Sequence, residues 1–253
     1  MSALHISISA ETIAHVGPLA VSNSIFTSLV VSVLLVILAL TVHAKLKAKG
    51  KPSRFQAMME MIIESLYNLT LDITGSRQKT ALFFPLIATF FLFILFNNWF
   101  GLLPGVGAIG FREIKEGVSE FVPYMRAGTA DLNTTIALAL VSVVVTQYFG
   151  LSALGLSYLK KYFNFSNPMN AFVGILEFIL ELAKVMSFGF RLFGNVFAGE
   201  VLLAVMTFLV PVIIPMPFYG LELFVGVIQA LVFAMLSLVF FNLATVGHGG
   251  EEH

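Results

Sequence analysis

The sequence predicts an all-α integral membrane protein. Of its 253 residues, 58% are hydrophobic and only 11% are charged. The mean hydropathy is +0.94, which a folded domain with a hydrated surface does not normally reach. Several uninterrupted apolar runs are long enough to cross a bilayer. We therefore predict a single membrane domain over residues 1–253. It contains one N-terminal transmembrane helix, an interfacial amphipathic helix, a pair of transmembrane helices and a C-terminal hairpin of two long, tilted membrane helices.

The first transmembrane helix is predicted at residues 24–44. The apolar run 25–42 is followed by HAKLKAKGKPSR, in which five of twelve residues are basic. The positive-inside bias assigns such a cluster to the cytoplasmic side, so we expect the N-terminus outside. The first 22 residues contain no Lys or Arg, which argues against a cleaved signal peptide.

The next segment, residues 53–73, is predicted to be an interfacial helix. Its apolar residues follow helical spacing, but Glu60 and Glu64 interrupt them. Carboxylates within a span are costly, whereas a helix lying in the interface can keep them in water. We therefore expect this helix on the inner face of the membrane.

A pair of transmembrane helices is predicted at residues 81–103 and 132–159. Lys160 and Lys161 follow the second of them and indicate a return to the inside. The intervening segment, 104–131, has mixed charge and is expected to be an external loop. The C-terminus then lies in the cytoplasm.

The C-terminal third is predicted to form an antiparallel hairpin of helices 168–210 and 217–246, joined by a proline-rich turn. The first helix covers about 43 residues, or roughly 64 Å against a hydrocarbon core of about 30 Å. Two alternatives follow. The helix breaks near Gly189 or Gly194, or it runs through the bilayer at a steep tilt with a partner covering its side.

Polar side chains lie along one face of the first hairpin helix. Their separations of 7, 3, 4 and 4 residues stay close to whole turns. The residues are Glu177, Lys184, Ser187, Arg191 and Asn195. Arg191 has no carboxylate three or four residues away, and a charged arginine in a membrane needs a partner inside the protein or on another chain.

The inner part of this face has two readings. Glu177 and Lys184, with Glu181 between them, can contribute to a proton path. They can equally pair with one another and mark where the helix meets the inner interface, since pairing near helix ends is common.

Antiparallel pairing across the proline turn predicts two matching levels in the hairpin. Equal rise along the two helices brings Glu200 opposite Glu222 and Arg191 opposite Gln229. Two carboxylates brought together in a membrane cannot both ionise at low cost, so this pair is suited to accepting and releasing protons.

Other chemistry finds little support. There is no cysteine, and the five histidines lack metal-ligand spacing. A net charge of zero gives no support for nucleic-acid binding. The GVGAIG stretch at 105–110 follows a membrane helix instead of a strand, which argues against a dinucleotide site. No cofactor is expected.

Two motifs carry a family resemblance, AKVMSFGFRLFGNVFAGE and VIQALVFAMLSLVFFNLA, supported by NNWFGLLPG and ADLNTTIALAL. Over residues 54–246 the chain resembles the bacterial a subunit of F-type ATP synthases, a stator component of the membrane F0 sector. The resemblance implies a non-catalytic subunit that couples proton flow through two half-channels to rotor rotation and ATP synthesis. It implies as partners the c-ring, the b-subunit peripheral stalk, the remainder of the synthase and the lipid bilayer.

The resemblance also implies roles for individual residues. Arg191 is expected to face the essential carboxylate of the c-ring. The outer access path is implied for Glu200, Glu222, Asn195 and Gln229, and the inner path for Glu177, Ser187 and Lys184. The expected location is a bacterial plasma membrane in preference to an organellar inner membrane. The alternative is a stand-alone channel or secondary transporter, for which inverted repeats are typical, but the two halves show no convincing repeat.

Overall fold

The computed structural model describes residues 10–17, 19–47, 54–103, 105–115, 118–162, 167–210 and 213–246. Six long helices dominate it: α1 Asn23–Lys47, α2 Arg54–Thr74, α3 Arg77–Gly101, α4 Leu132–Leu154, α5 Pro168–Leu209 and α6 Pro215–Ala244. All but α2 are long and apolar enough to cross a membrane. The prediction of an all-α membrane protein is confirmed.

Two short β-hairpins lie outside the helical body, and the sequence patterns did not predict them. β1 (Thr12–Val16) pairs with β2 (Leu19–Ser22), and β3 (Gly110–Lys115) pairs with β4 (Val118–Pro123). Each is a local antiparallel pair. Strands this short leave little signal in a chain whose hydropathy is dominated by membrane helices. The second hairpin lies within the segment that was expected to be an external loop.

The fourth helix ends where the backbone becomes unsuitable for further helix. Gly155 has a φ of 60°, a value that glycine adopts without steric cost. The chain continues as a short 3₁₀ helix, Gly155–Lys161, which covers the rest of the predicted range 132–159. At its other end, α4 begins with Asp131, whose carboxylate accepts a hydrogen bond from the backbone N–H of Asn133 at 3.1 Å.

The fifth helix is continuous over 42 residues, about 63 Å at 1.5 Å per residue. No break occurs at Gly189 or Gly194, so the first of the two alternatives is not observed. Gly189 instead allows close packing, because a methyl group there would lie only 3.0 Å from the Ile136 side chain of α4. The N-terminal half of α5 leaves large apolar side chains exposed, among them Phe172, Ile175, Ile179 and Met186.

An aromatic core holds α3, α4, α5 and α6 together. Phe83, Phe149 and Phe241 contact one another with ring centroids 4.8 to 5.9 Å apart. Phe233 contacts Phe90 and Phe188 in the same way. Edge-to-face pairs of this kind stabilise beyond the area they bury.

A group of polar side chains, the outer polar cluster, joins α1, α3 and α6 to the segment before α4. It consists of the buried Asn97, Asn98 and Thr129 and the half-buried Ser28. The Ser28 hydroxyl donates to Asn97 Oδ1 at 3.2 Å, and the Thr129 hydroxyl donates to Asn98 Oδ1 at 2.6 Å. Asn98 Nδ2 in turn donates to the Gly226 carbonyl of α6 at 3.1 Å. Because buried polar groups are costly unless paired, these bonds fix how the four segments meet.

Candidate functional site

Arg191 lies on an exposed face of α5, together with Ser187 and Asn195. Its guanidinium makes one long hydrogen bond, from Nη2 to Ser187 Oγ at 3.5 Å. No carboxylate among the residues that the structure describes lies within ion-pair distance of it. The guanidinium is permanently charged, and an exposed position on an apolar helix gives a carboxylate on another chain room to approach it.

Gln229 of α6 pairs with Asn195. Asn195 Nδ2 donates to Gln229 Oε1 at 2.5 Å, and Gln229 is buried. The sequence predicted Gln229 opposite Arg191, whereas in the structure the Gln229 side chain bonds Asn195, one turn further along α5. Equal rise predicts the level of a residue, but not which neighbour within one turn its side chain contacts.

Glu200 forms an ion pair with a residue that the sequence argument missed. Arg126 Nη2 lies 2.9 Å from Glu200 Oε2, and Arg126 Nε donates to the same oxygen at 3.0 Å. The guanidinium also lies 5.9 Å from the ring centroid of Phe197, one turn earlier on α5. The two charged residues are 74 positions apart, and no helical periodicity connects them.

Glu222 reaches α5 next to Glu200. A methyl group added at Gly199 would overlap the Glu222 carboxyl group, so this carboxyl lies directly against the α5 backbone. Among the described residues, Glu222 makes neither a hydrogen bond nor an ion pair. Glu200 of α5 and Glu222 of α6, the two carboxylates predicted to share a level, therefore lie next to each other but have different surroundings.

The three residues proposed for the inner path line a common cleft. Its volume is about 360 Å³, and its lining comprises Lys161, Glu177, Leu180, Glu181, Ala183, Lys184 and Ser187. Six of these belong to α5, and Lys161 comes from the 3₁₀ helix after α4. Ser187 is one turn from Arg191, so the cleft leads toward the arginine.

The cleft contains two ion pairs and a buried carboxylate. Lys161 Nζ lies 2.5 Å from Glu177, and Lys184 Nζ lies 2.8 Å from Glu181. Glu181 is only 9% exposed and also accepts a hydrogen bond from the Tyr162 hydroxyl at 3.2 Å. Its second carboxylate oxygen is buried without a hydrogen-bond partner among the described residues. Pairing between charges of α5 is therefore present for Lys184 and Glu181, whereas Glu177 pairs with Lys161 outside this helix.

Two groups at the mouth of the cleft have shifted proton affinities. Burial lowers the pKa of Lys161, and the nearby Lys184 ammonium lowers it further, while Glu181 acts in the opposite direction. Burial, a hydrogen bond with Tyr158 and the charge of Glu181 raise the pKa of Tyr162, so its hydroxyl remains a donor.

The family model of the ATP synthase A chain matches residues 25–242. The chain belongs to this family. It is also 37% identical to the ATP synthase subunit a of Gloeobacter violaceus over 238 residues, covering 94% of this chain and 87% of the relative. As a member of the ATP synthase A chain family, it is a non-catalytic subunit.

The structure groups the expected site residues into two regions of this family member. Glu200, Glu222, Asn195 and Gln229 lie on the facing sides of the C-terminal hairpin, and the other group lines the cleft. Arg191 lies between them along α5. Arg126 is an addition to the residues expected from the sequence, and Glu181, which was named beside Glu177 and Lys184, joins the cleft group. For Glu181 a signal existed, since it falls one turn from Glu177, but its burial under Tyr162 could not be read from the sequence. Within the described residues, no group of three potential ligands could hold a metal ion.

Proposed function

We propose that this chain is the stator subunit that provides two proton half-channels and a fixed positive charge beside the c-ring of an ATP synthase. The observation that carries the proposal is the exposed Arg191 guanidinium, which has no carboxylate partner among the described residues. A permanent charge on an apolar helix is costly unless another chain supplies the opposite charge. A rotor carboxylate that passes Arg191 supplies it.

The mechanism follows from electrostatics. An ionised rotor carboxylate is costly in lipid, so it is tolerated only where Arg191 compensates its charge. Each carboxylate must take up a proton before it leaves the arginine and returns to lipid. Arg191 also blocks direct flow between the half-channels, because guanidinium neither gives up its proton nor attracts a second positive charge.

The two half-channels follow from the two polar regions. Glu200, Glu222, Asn195 and Gln229 form the outer path, and the cleft with Glu177, Lys184 and Ser187 forms the inner path. Protons entering by one path leave by the other only after carriage around the ring. The proposal includes the b-subunit peripheral stalk as a partner. It also places the chain in a bacterial plasma membrane with the N-terminus outside and the C-terminus in the cytoplasm.

The experiment compares Arg191→Lys and Arg191→Ala in the assembled synthase. Lysine keeps a positive charge but can lose its proton in a desolvated site, so Arg191→Lys should abolish proton-driven ATP synthesis while the complex still assembles. Arg191→Ala removes the barrier and should let protons leak passively through vesicles. Arg112→Lys is the matched control, because Arg112 is an exposed arginine of the β3 strand.

Assembly is measured by blue-native electrophoresis with mass spectrometry. Co-migration with the c-ring and nucleotide-binding subunits is expected. A free homo-oligomer, or near-normal ATP synthesis by an assembled Arg191→Lys enzyme, would contradict the proposal.

A further inference from the structure

The ion pair between Arg126 and Glu200 is held from several directions. Both Nη2 and Nε of Arg126 contact the same carboxylate oxygen, at 2.9 and 3.0 Å. The backbone N–H of Arg126 donates to Thr27 Oγ1 of α1 at 3.2 Å. Phe197 lies against the guanidinium. The Arg126 side chain is 13% exposed and that of Glu200 is 29% exposed. A pair with this many supports is a fixed element of the structure.

The neighbouring carboxylate has different surroundings. Glu222 lies against the backbone at Gly199 and has no cation to hold it in one charge state among the described residues. One turn along α6 from Glu222, the Gly226 carbonyl accepts a hydrogen bond from Asn98. Further along the same helix, Gln229 accepts a hydrogen bond from Asn195, which is one turn from Arg191 on α5. Glu222 therefore lies at the outer end of a polar line that leads toward Arg191.

We propose that Arg126 is a positioning residue that keeps Glu200 as a charge-compensated carboxylate, so that Glu222 alone takes up and releases protons in the outer path. This inference rests on the stator function proposed above. In the direction of ATP synthesis, the Glu222 carboxylate binds a proton from water on the outer side and becomes a carboxylic acid. It then transfers that proton inward to a rotor carboxylate and is a carboxylate again, so no net change remains on this chain.

Charge compensation explains why a second carboxylate can lie so close to Glu222. Two unpaired carboxylates at this distance would share one proton and hold it tightly. With Arg126 bound, most of the Glu200 charge is compensated, and Glu222 exchanges protons as a single group. Removing Arg126 while Glu200 remains should therefore be more harmful than removing both.

The experiment measures proton flux through vesicles that contain the assembled membrane sector, with glutamine variants made singly and in pairs. Glutamine cannot carry a proton. Arg126→Gln leaves the Glu200 carboxylate without the cation that compensates its charge and should lower flux by about tenfold or more. The pair Arg126→Gln with Glu200→Gln should restore flux to within about threefold of the unmodified enzyme.

The parallel arm changes Glu222. Glu222→Gln should abolish flux, and adding Arg126→Gln should not restore it. Arg126→Lys should retain most flux because it keeps the charge beside Glu200. Arg112→Gln serves as the control for loss of an arginine charge from the same external segment. Assembly of each variant is checked by blue-native electrophoresis, and the pair Arg126→Met with Glu200→Met provides a second neutral version of the site.

Three outcomes would overturn the inference. In the first, the neutral pairs assemble but remain as inactive as Arg126→Gln, which would make Glu200 a proton carrier. In the second, Glu222→Gln keeps its flux. In the third, both neutral pairs fail to assemble, which would assign the ion pair to folding alone. Vesicles with Arg191→Ala, measured in parallel, test the stator proposal separately. A passive proton leak through them supports the stator function even if the Glu200 variants contradict the role of Arg126.

Discussion

Gly128 offers a test of how the external segment before α4 is attached to the membrane helices. It is buried in the outer polar cluster, and its backbone does not have a positive φ. A methyl group at this position would overlap the Ser28 hydroxyl and the Asn97 side-chain oxygen. The substitution Gly128→Ala therefore acts through steric overlap, without backbone strain.

Two contributions set the size of the effect. Overpacking a well-filled site costs about 1–3 kcal/mol. Separating Ser28 from Asn97 loses a partly buried hydrogen bond of 3.2 Å, with a net value of about 1 kcal/mol. We expect the free energy of unfolding to fall by about 2–4 kcal/mol. Gly107→Ala is the matched control, since a methyl group at Gly107 meets no atom within 4 Å, and it should change the free energy by less than about 0.5 kcal/mol.

The chain contains a natural reporter for this measurement. Trp99 is the single tryptophan, and its indole N–H donates to the Leu223 carbonyl at 3.1 Å, joining α3 to α6 beside the outer polar cluster. Unfolding of the purified chain in micelles by a denaturing detergent can be followed by its fluorescence. Adding Ser28→Gly to Gly128→Ala removes one of the overlapping groups and should recover part of the loss. Equal unfolding midpoints for Gly128→Ala and Gly107→Ala would refute the described packing.

Two further predictions concern α5 and the cleft. Asn195→Cys should form disulfides with cysteines introduced on the rotor, because Asn195 lies on the exposed face of α5. Leu192→Cys should not, because Leu192 is buried. Strong labelling of Asn195→Cys by a lipid-phase reagent in the assembled synthase would argue against a rotor covering this face. The pKa of Lys161, read from the pH dependence of its modification by an amine-reactive reagent with mass spectrometry, should lie below that of an ordinary lysine. Lys184→Gln should raise that pKa by removing a neighbouring positive charge, and Glu181→Gln should lower it by removing a negative one; shifts of the opposite sign would exclude the described geometry of the cleft.

The sequence predicted the parts of this fold that depend on local composition. Apolar length identifies α1, α3, α4, α5 and α6, and the interrupting carboxylates distinguish α2 from them. The polar face of α5 follows from helical spacing alone. These features are properties of one helix, so no knowledge of packing is required.

The contacts between segments were harder to predict. Arg126 meets Glu200 only because the segment before α4 folds back over α5, and nothing local to either residue indicates that. The pairing of Asn195 with Gln229 depends on side-chain directions across the hairpin, which the level of each residue does not determine. The β-hairpins are held by a few backbone hydrogen bonds, and backbone bonding leaves no trace in the hydropathy pattern of the sequence.

The charge of Arg191, which has no carboxylate partner among the described residues, has a consequence for how the cell makes this protein. Before assembly, a copy of the chain would present that guanidinium to hydrocarbon at a cost of about 2.5–3.5 kcal/mol on insertion scales. Under the proposed stator function, binding of the ring would remove this cost, and by mass action the chain would become more stable as the supply of rotor rises. Copies made in excess of the ring would remain in the less stable form and reach the membrane proteases first. The amount of this subunit in the membrane would then follow the number of rings without any separate control of its synthesis.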